Sequence, residues 1–388
     1  KSSSDDVIFW ICLFALNQHQ AVGEVGSTPE EGPFNVALTK AQHGAVMVLD
    51  GHAKPMGRIW CLYEVSRAKE FKQAFRLIVD DGDLTKADDR TLEEISKSLL
   101  HLRAHNANAT KDDDKQKIHY RILDPRIKSG IASFQLFKNR AREMHDGWFA
   151  DFDVHICSLI GTPMLAAGLK AQSKIVCMRA IGMGAEATVA DLEELTQRFC
   201  ADLTEKVETR FGTCTLSLVF ARMGKEDELR YVLDRGIDLS ERDDDGNTAF
   251  HSAAIKGHTE VCALLLDRGA DISELNNNSD TALHLAANYG HTEVCSFLLD
   301  SDADISKKNK YGETAFLLAA NKGHKEVCSS LLGCGATIGE RCHTGNTALH
   351  WAAIRGNTEI CEFLLNHGAY IDSRNRHGMT ALQLADNK

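Results

Sequence analysis

The sequence predicts a multidomain chain: an N-terminal α/β domain with a parallel sheet, a helical connector, and a C-terminal all-α solenoid of short repeats. Three observations carry this expectation. Thr215, Thr248, Thr281, Thr314, Thr347 and Thr380 recur every 33 residues without a slip, and a fixed period of this length marks stacked units. Over residues 1–85, short apolar runs alternate with helix-like segments, as in a sheet covered on both faces. Residues 131–212 break the period and read as a helical connector.

At the front, Val7–Leu16, Ala45–Leu49 and Phe75–Val79 read as buried strands, with helices expected over Phe34–Gln42 and Arg58–Phe71. Ligands of such a sheet bind beyond the carboxyl ends of its strands. Asn17, Gln18, His19, Asp50, His52 and Asp80 stand there and form a candidate ligand edge. Strand ends are polar in any such fold, because turns need Asp, Asn and Gly. The domain is expected to span 1–130. The chain begins at Lys1 rather than Met and stops after one helix of its last unit, so it reads as a fragment open at both ends.

The segment Arg58-Ile59-Trp60-Cys61-Leu62-Tyr63-Glu64-Val65 resembles the W-C-L-x-E-L stretch of TIR domains. That resemblance implies a TIR-like domain (a flavodoxin-like one on the strand pattern alone). In enzymatic members it also implies NAD cleavage, with Glu64 as the carboxylate that stabilises the ribosyl cation. The structural alternative is a surface Glu64 beside a core Trp60 and Leu62. A non-catalytic TIR-like domain would instead imply self-association.

A helix is expected over Thr91–Leu102, then a charged solvated loop over His105–Lys117. In the connector, Thr162-Pro163-Met164-Leu165-Ala166-Ala167 resembles the start of a degenerate repeat at 162–185, and Asp191–Val207 reads as a helix.

The repeats run over 213–388, about five and a partial sixth. Around each Thr stands one sentence with minor edits, such as TALHLAANYGHTEVCSFLL from Thr281. The Thr hydroxyl suits an N-cap, where it satisfies an orphan helix N–H. Phe250, Ala253 and Ala254 share one face of a short first helix, which Gly257 and its equivalents close. A second helix from about Thr259 to Arg268 turns Val261, Leu264 and Leu265 toward the first. Gly269, Gly335 and Gly368 end it, and Asp302 departs from that pattern. The T-x-L-H-x-A-A core with this period resembles the ankyrin repeat. The resemblance implies a solenoid that binds proteins through its finger tips and first-helix ends, with His251, His284 and His350 bracing turns. Cys262, Cys295, Cys328 and Cys361 recur at one position and read as small buried residues.

The residues that differ from repeat to repeat, while the framework does not, are Lys256, Tyr289, Lys322 and Arg355 at the helix ends and Lys310, Tyr311, His343 and Arg376 among the tips. These are the expected partner-binding positions, Tyr and Arg being the usual hot-spot types. A net charge of −11 argues against nucleic acid or an anionic membrane as main ligand. Twelve cysteines without compact pairing suggest reduced thiols in the cytoplasm. No CxxC or HExxH occurs, so no metal site is expected. Val7–Leu16 is too short to span a bilayer. The function expected is a protein–protein adaptor or scaffold without a cofactor, with an NAD-cleaving enzyme as the alternative.

Overall fold

The computed structural model describes residues 45–48, 75–79, 82–84, 87–100, 150–199, 203–209 and 212–386. The chain divides into two compact units, one of residues 1–201 with 207–210, the other of 202–206 with 211–388.

In the first unit, β1 (Ala45–Val48) and β2 (Phe75–Val79) pair in parallel, Ala45 opposite Phe75, and β3 (Gly82–Asp83) returns antiparallel to β2. β1 falls on a four-residue apolar run, and in β2 Arg76 is the one polar residue among Phe75, Leu77, Ile78 and Val79. The strand expected over Val7–Leu16, both helices expected before β2 and the charged loop lie outside the described residues. The next helix, α1 (Asp89–Leu100), begins two residues earlier than expected. Its start is fixed by Asp88, whose carboxylate accepts from the Thr91 N–H at 2.7 Å.

The described residues of the connector are mostly helical, and the repeat start expected at Thr162 is not a helix start. Thr162 and Pro163 lie inside α2 (Ala150–Ala171), not at a helix N-terminus as the repeat motif requires. The helix continues through them because Ile160, Met164, Leu165 and Ala167 are buried on it. There Thr162 accepts a bond from the Glu186 N–H (3.0 Å). After α3 (Lys174–Gly182), α4 covers Val189–Phe199, so the helix expected to Val207 stops short and Val207 begins β4 (Val207–Thr209). Thr188 and Asp191 cap α4 reciprocally through Thr188 N–H to Asp191 Oδ2 (2.8 Å) and Asp191 N–H to Thr188 Oγ1 (3.3 Å).

Small residues let α2 and α3 meet: a Cβ at Gly168 would stand 2.8 Å from Cys177 Sγ. Leu92, Ile95, Met164, Ala167, Val176 and Ile181 are buried around that contact. Arg179 ties the unit together, with Nε 2.9 Å from Glu208 Oε2 and Nη1 3.4 Å from the Glu93 carbonyl.

The second unit, after a short strand β5 (Gly212–Cys214), is a stack of helix pairs. The first helices are α5 (Leu216–Met223), α7 (Ala249–Lys256), α9 (Ala282–Tyr289), α11 (Ala315–Lys322), α13 (Ala348–Arg355) and α15 (Ala381–Asp386). The second helices are α6 (Glu226–Leu233), α8 (Thr259–Asp267), α10 (Thr292–Asp300), α12 (Lys325–Gly333) and α14 (Thr358–Asn366). First helices pack on first helices and second on second. The core repeats as well: Phe250, Leu283, Phe316 and Leu349 are buried in one row, and Leu265, Leu298, Leu331 and Leu364 in another. Each such side chain contributes about 1.5–3 kcal/mol only because a neighbouring unit covers it.

Candidate protein-binding surface

The tips that carry the variable residues are held by main-chain bonds. Asn277, Lys310, His343 and Arg376 each donate an N–H to the previous finger, at Asp245, Asn278, Tyr311 and Thr344, over 2.9–3.1 Å. The fingers thus form a ladder of main-chain bonds, to which the Asn277 and Lys310 side chains add bonds to the Asp244 and Asn277 carbonyls (3.1 and 3.4 Å).

A second ladder lies at the finger bases. The Asn276, Asn309 and Asn375 amides donate back to Asn247, Asp280 and Asn346 at 2.8–2.9 Å. Their Oδ1 atoms accept two N–H groups of their own turn, as from Asn278 and Asp280. Cys342 occupies the equivalent place in the fourth finger.

The histidines brace the turns in a more extended way than the resemblance implied. In α9, His284 Nδ1 accepts from the Thr281 N–H (3.2 Å), while the Thr281 hydroxyl accepts from the His284 N–H (3.4 Å). That arrangement leaves the ring proton on Nε2, which lies 3.1 Å from the Glu313 carbonyl. His251 and His350 repeat this, reaching the Glu274 and Met379 carbonyls. Burial holds all three below the usual imidazole range.

Another row, His258, His291 and His324, carries Nε2 to the preceding first helix, at the Arg222, Ile255 and Asn288 carbonyls (3.2, 2.8 and 3.1 Å). His324 packs so closely that a Cβ on Gly290 would meet its Nδ1 at 2.7 Å.

Of the expected partner positions, Tyr289, Lys310, Tyr311, Lys322, His343, Arg355 and Arg376 are exposed and Lys256 is half-buried. Trp351, a further anchor by residue type, is half-buried too. Lys256, Tyr289, Lys322 and Arg355 are the last residues of four consecutive first helices and so form one row. Lys310 stands 5.2 Å from the Tyr311 ring centroid, and Arg355 Nε donates to Asn321 Oδ1 (2.9 Å).

Glu64 and the ligand edge of Asn17, Gln18, His19, Asp50, His52 and Asp80 lie outside the described residues. Cys262, Cys295 and Cys328 are buried and Cys361 is half-buried. Burial pushes the first three thiols up to about 12, which suits packing and not redox chemistry. Among the described residues, no group of three or more His, Cys, Asp or Glu stands together as a metal site. No helix of the described residues is long and apolar enough to cross a membrane.

Paired antiparallel helices joined by fingers and stacked at a fixed period define a repeat protein of the solenoid class. Residues 218–266 match the family model described as Ankyrin repeats (many copies), and residues 269–342 and 316–387 the one described as Ankyrin repeats (3 copies). The C-terminal region is therefore built of ankyrin repeats, which point to a role in protein–protein interaction. No curated protein matches the chain.

Proposed function

We propose that the protein is an adaptor or scaffold that grips a partner protein through its finger tips and first-helix ends. The observation that carries this reading is the separation of labour just described. Backbone and framework side chains hold the stack, while Tyr289, Lys310, Tyr311, Lys322, His343, Arg355 and Arg376 project from it. Exposed Tyr and Arg in one row supply the residue types that anchor interfaces. Eight described cysteines are free thiols, which supports a reducing cytoplasm as the setting.

The test is affinity capture from a reducing cytosolic extract with the full chain and with a variant carrying Tyr289, Lys310, Tyr311 and Arg355 as Ala. A partner retained by the first and lost by the second supports the reading. Equal capture by both sinks it.

A second reading, an NAD-cleaving front domain regulated by the repeats, is supported by the parallel β1–β2 pair, since Glu64 falls in the crossover between those strands. Its test is NAD turnover by the full chain and by Glu64→Ala. Turnover abolished by the substitution favours it, and no turnover by the wild type removes it.

A further inference from the structure

Charge is unevenly distributed over the repeats. Residues 213–300 carry 7 basic and 16 acidic side chains, whereas residues 301–388 carry 10 and 9. Part of the acidic charge of the later repeats stands away from the tips or is paired. Glu326, Glu359 and Glu362 lie exposed on the second helices. Glu340 is taken by Lys308 at 2.7 Å, and Glu359 by Lys325 at 2.8 Å. Two cations of the later tips and first-helix ends, Arg355 and Lys310, are held by neutral groups. Arg355 is anchored by a neutral amide, Asn321 Oδ1 at 2.9 Å. Lys310 is held by the Asn277 carbonyl at 3.4 Å and by the Tyr311 ring. Lys322 sits one repeat from Arg355, and partial desolvation, then repulsion from Arg355, lowers its pKa, with the buried Glu313 acting the other way. Two like charges held side by side favour an incoming anion that can bridge them.

We propose that Lys310, Lys322, Arg355 and Arg376 bind a short acidic peptide segment of the partner protein, an inference that rests on the protein-binding reading above. A peptide fits better than a nucleic acid. A long polyanion leaving this patch along the fingers would run against Asp243, Asp244 and Asp245, and the chain as a whole carries −11. A segment of a few acidic residues stays on the later repeats, and the acidic earlier half then fixes its register by repulsion.

The test uses the full chain to select from a random twelve-residue peptide library displayed on phage, and then measures selected peptides and a twelve-nucleotide oligo-dT by fluorescence anisotropy. Selected peptides should be rich in Asp and Glu and should bind more weakly as salt is raised. They should lose roughly tenfold or more in affinity to Lys322→Glu and to Arg355→Glu, but keep it to Lys325→Glu on the second-helix layer. Arg355→Gln, which removes the charge and retains an amide, should fall between wild type and Arg355→Glu; its circular dichroism should match wild type. Apolar or basic selected peptides, insensitive to both charge reversals, overturn the acidic-segment proposal and leave protein binding standing. Oligo-dT bound as tightly and with the same sensitivity would assign the patch to phosphate polymers and overturn it as well. Failure to select any peptide overturns the proposal, and it leaves the capture experiment alone to decide the broader reading.

Discussion

The His284 ring and the Glu313 carbonyl oxygen are 3.1 Å apart, and this bond joins the first helix of one repeat to the finger of the next. Its other nitrogen closes the cap of its own helix. One neutral ring thus serves two main-chain groups in different repeats, and a proton on Nδ1 would break its contact with the Thr281 N–H.

The array is therefore expected to lose stability in mild acid. Burial lowers the folded pKa of His251, His258, His284 and His350, so the unfolded chain binds more protons once pH drops below about 6.5. The histidine contribution is fully present above that value and is lost as pH falls toward the folded pKa values. Glu313, whose pKa burial raises, acts in the opposite sense at lower pH. Urea midpoints from pH 8 to 5 should fall below about pH 6.5. His284→Leu should flatten that slope while costing about 1–3 kcal/mol at pH 8, because it strands a buried N–H and carbonyl.

The junction between the repeats of Thr314 and Thr347 lacks two of the bonds present on either side of it. Leu317 replaces the bracing His, and Cys342 replaces the Asn that elsewhere donates across the fingers. The Cys342 sulfur turns instead to Thr344 Oγ1 at 3.0 Å. Cys342→Asn should restore a donor toward Glu313, as Asn309 supplies one to Asp280 at 2.8 Å. The expected gain is about 1 kcal/mol in urea unfolding, with the Glu313 pKa, followed by carboxylate NMR, moving down. No gain would mean that the fourth finger cannot adopt the arrangement of its neighbours.

Asp302 holds φ at 66° where Gly269, Gly335 and Gly368 stand at 90°, 94° and 91°. A side chain in the left-handed region costs about 1–2 kcal/mol, less for Asp than for most residues, and Gly also adds freedom to the unfolded chain. Asp302→Gly should stabilise by a few tenths to about 1 kcal/mol, read as a rise in thermal midpoint. Asp302→Val should do the reverse and by more.

The thiol row should be chemically silent. With pKa values pushed up to about 12, Cys262, Cys295 and Cys328 are thiolate to about one part in ten thousand at pH 8. Iodoacetamide followed by peptide mapping should find exposed Cys334 alkylated in the native protein and those three untouched until urea is added. Early modification of Cys295 would contradict the packing described.

Much of this stack was legible in the sequence, because the features that build it are local. Thr N-caps, the closing Gly and the i, i+3, i+4 apolar set are read within ten residues, and α8 ends one residue from its expected limit. The finger ladder, the Asn ladder and the His258 row were not read. Each joins groups 29–36 residues apart, such as Lys310 to Asn278 or His291 to Ile255, and a period says that units repeat without saying which atoms face one another. The connector misled for the opposite reason. Thr162-Pro163 carries a local start signal, yet the helix runs on through it with Met164, Leu165 and Ala167 buried. At the candidate surface, Lys256, Tyr289, Lys322 and Arg355 end their helices where expected, but the role of Lys310, His343 and Arg376 as backbone donors was invisible in their side chains.

The tip ladder, made of main-chain groups, has a consequence for how such a surface can change over generations. Any residue with an N–H can fill the rung at 277, 310, 343 or 376, and the present occupants, Asn, Lys, His and Arg, already sample that tolerance. Under the protein-binding proposal, specificity can be rewritten one finger at a time without altering these main-chain rungs. Recognition and foldability would then be separate traits of the array, free to evolve at different speeds.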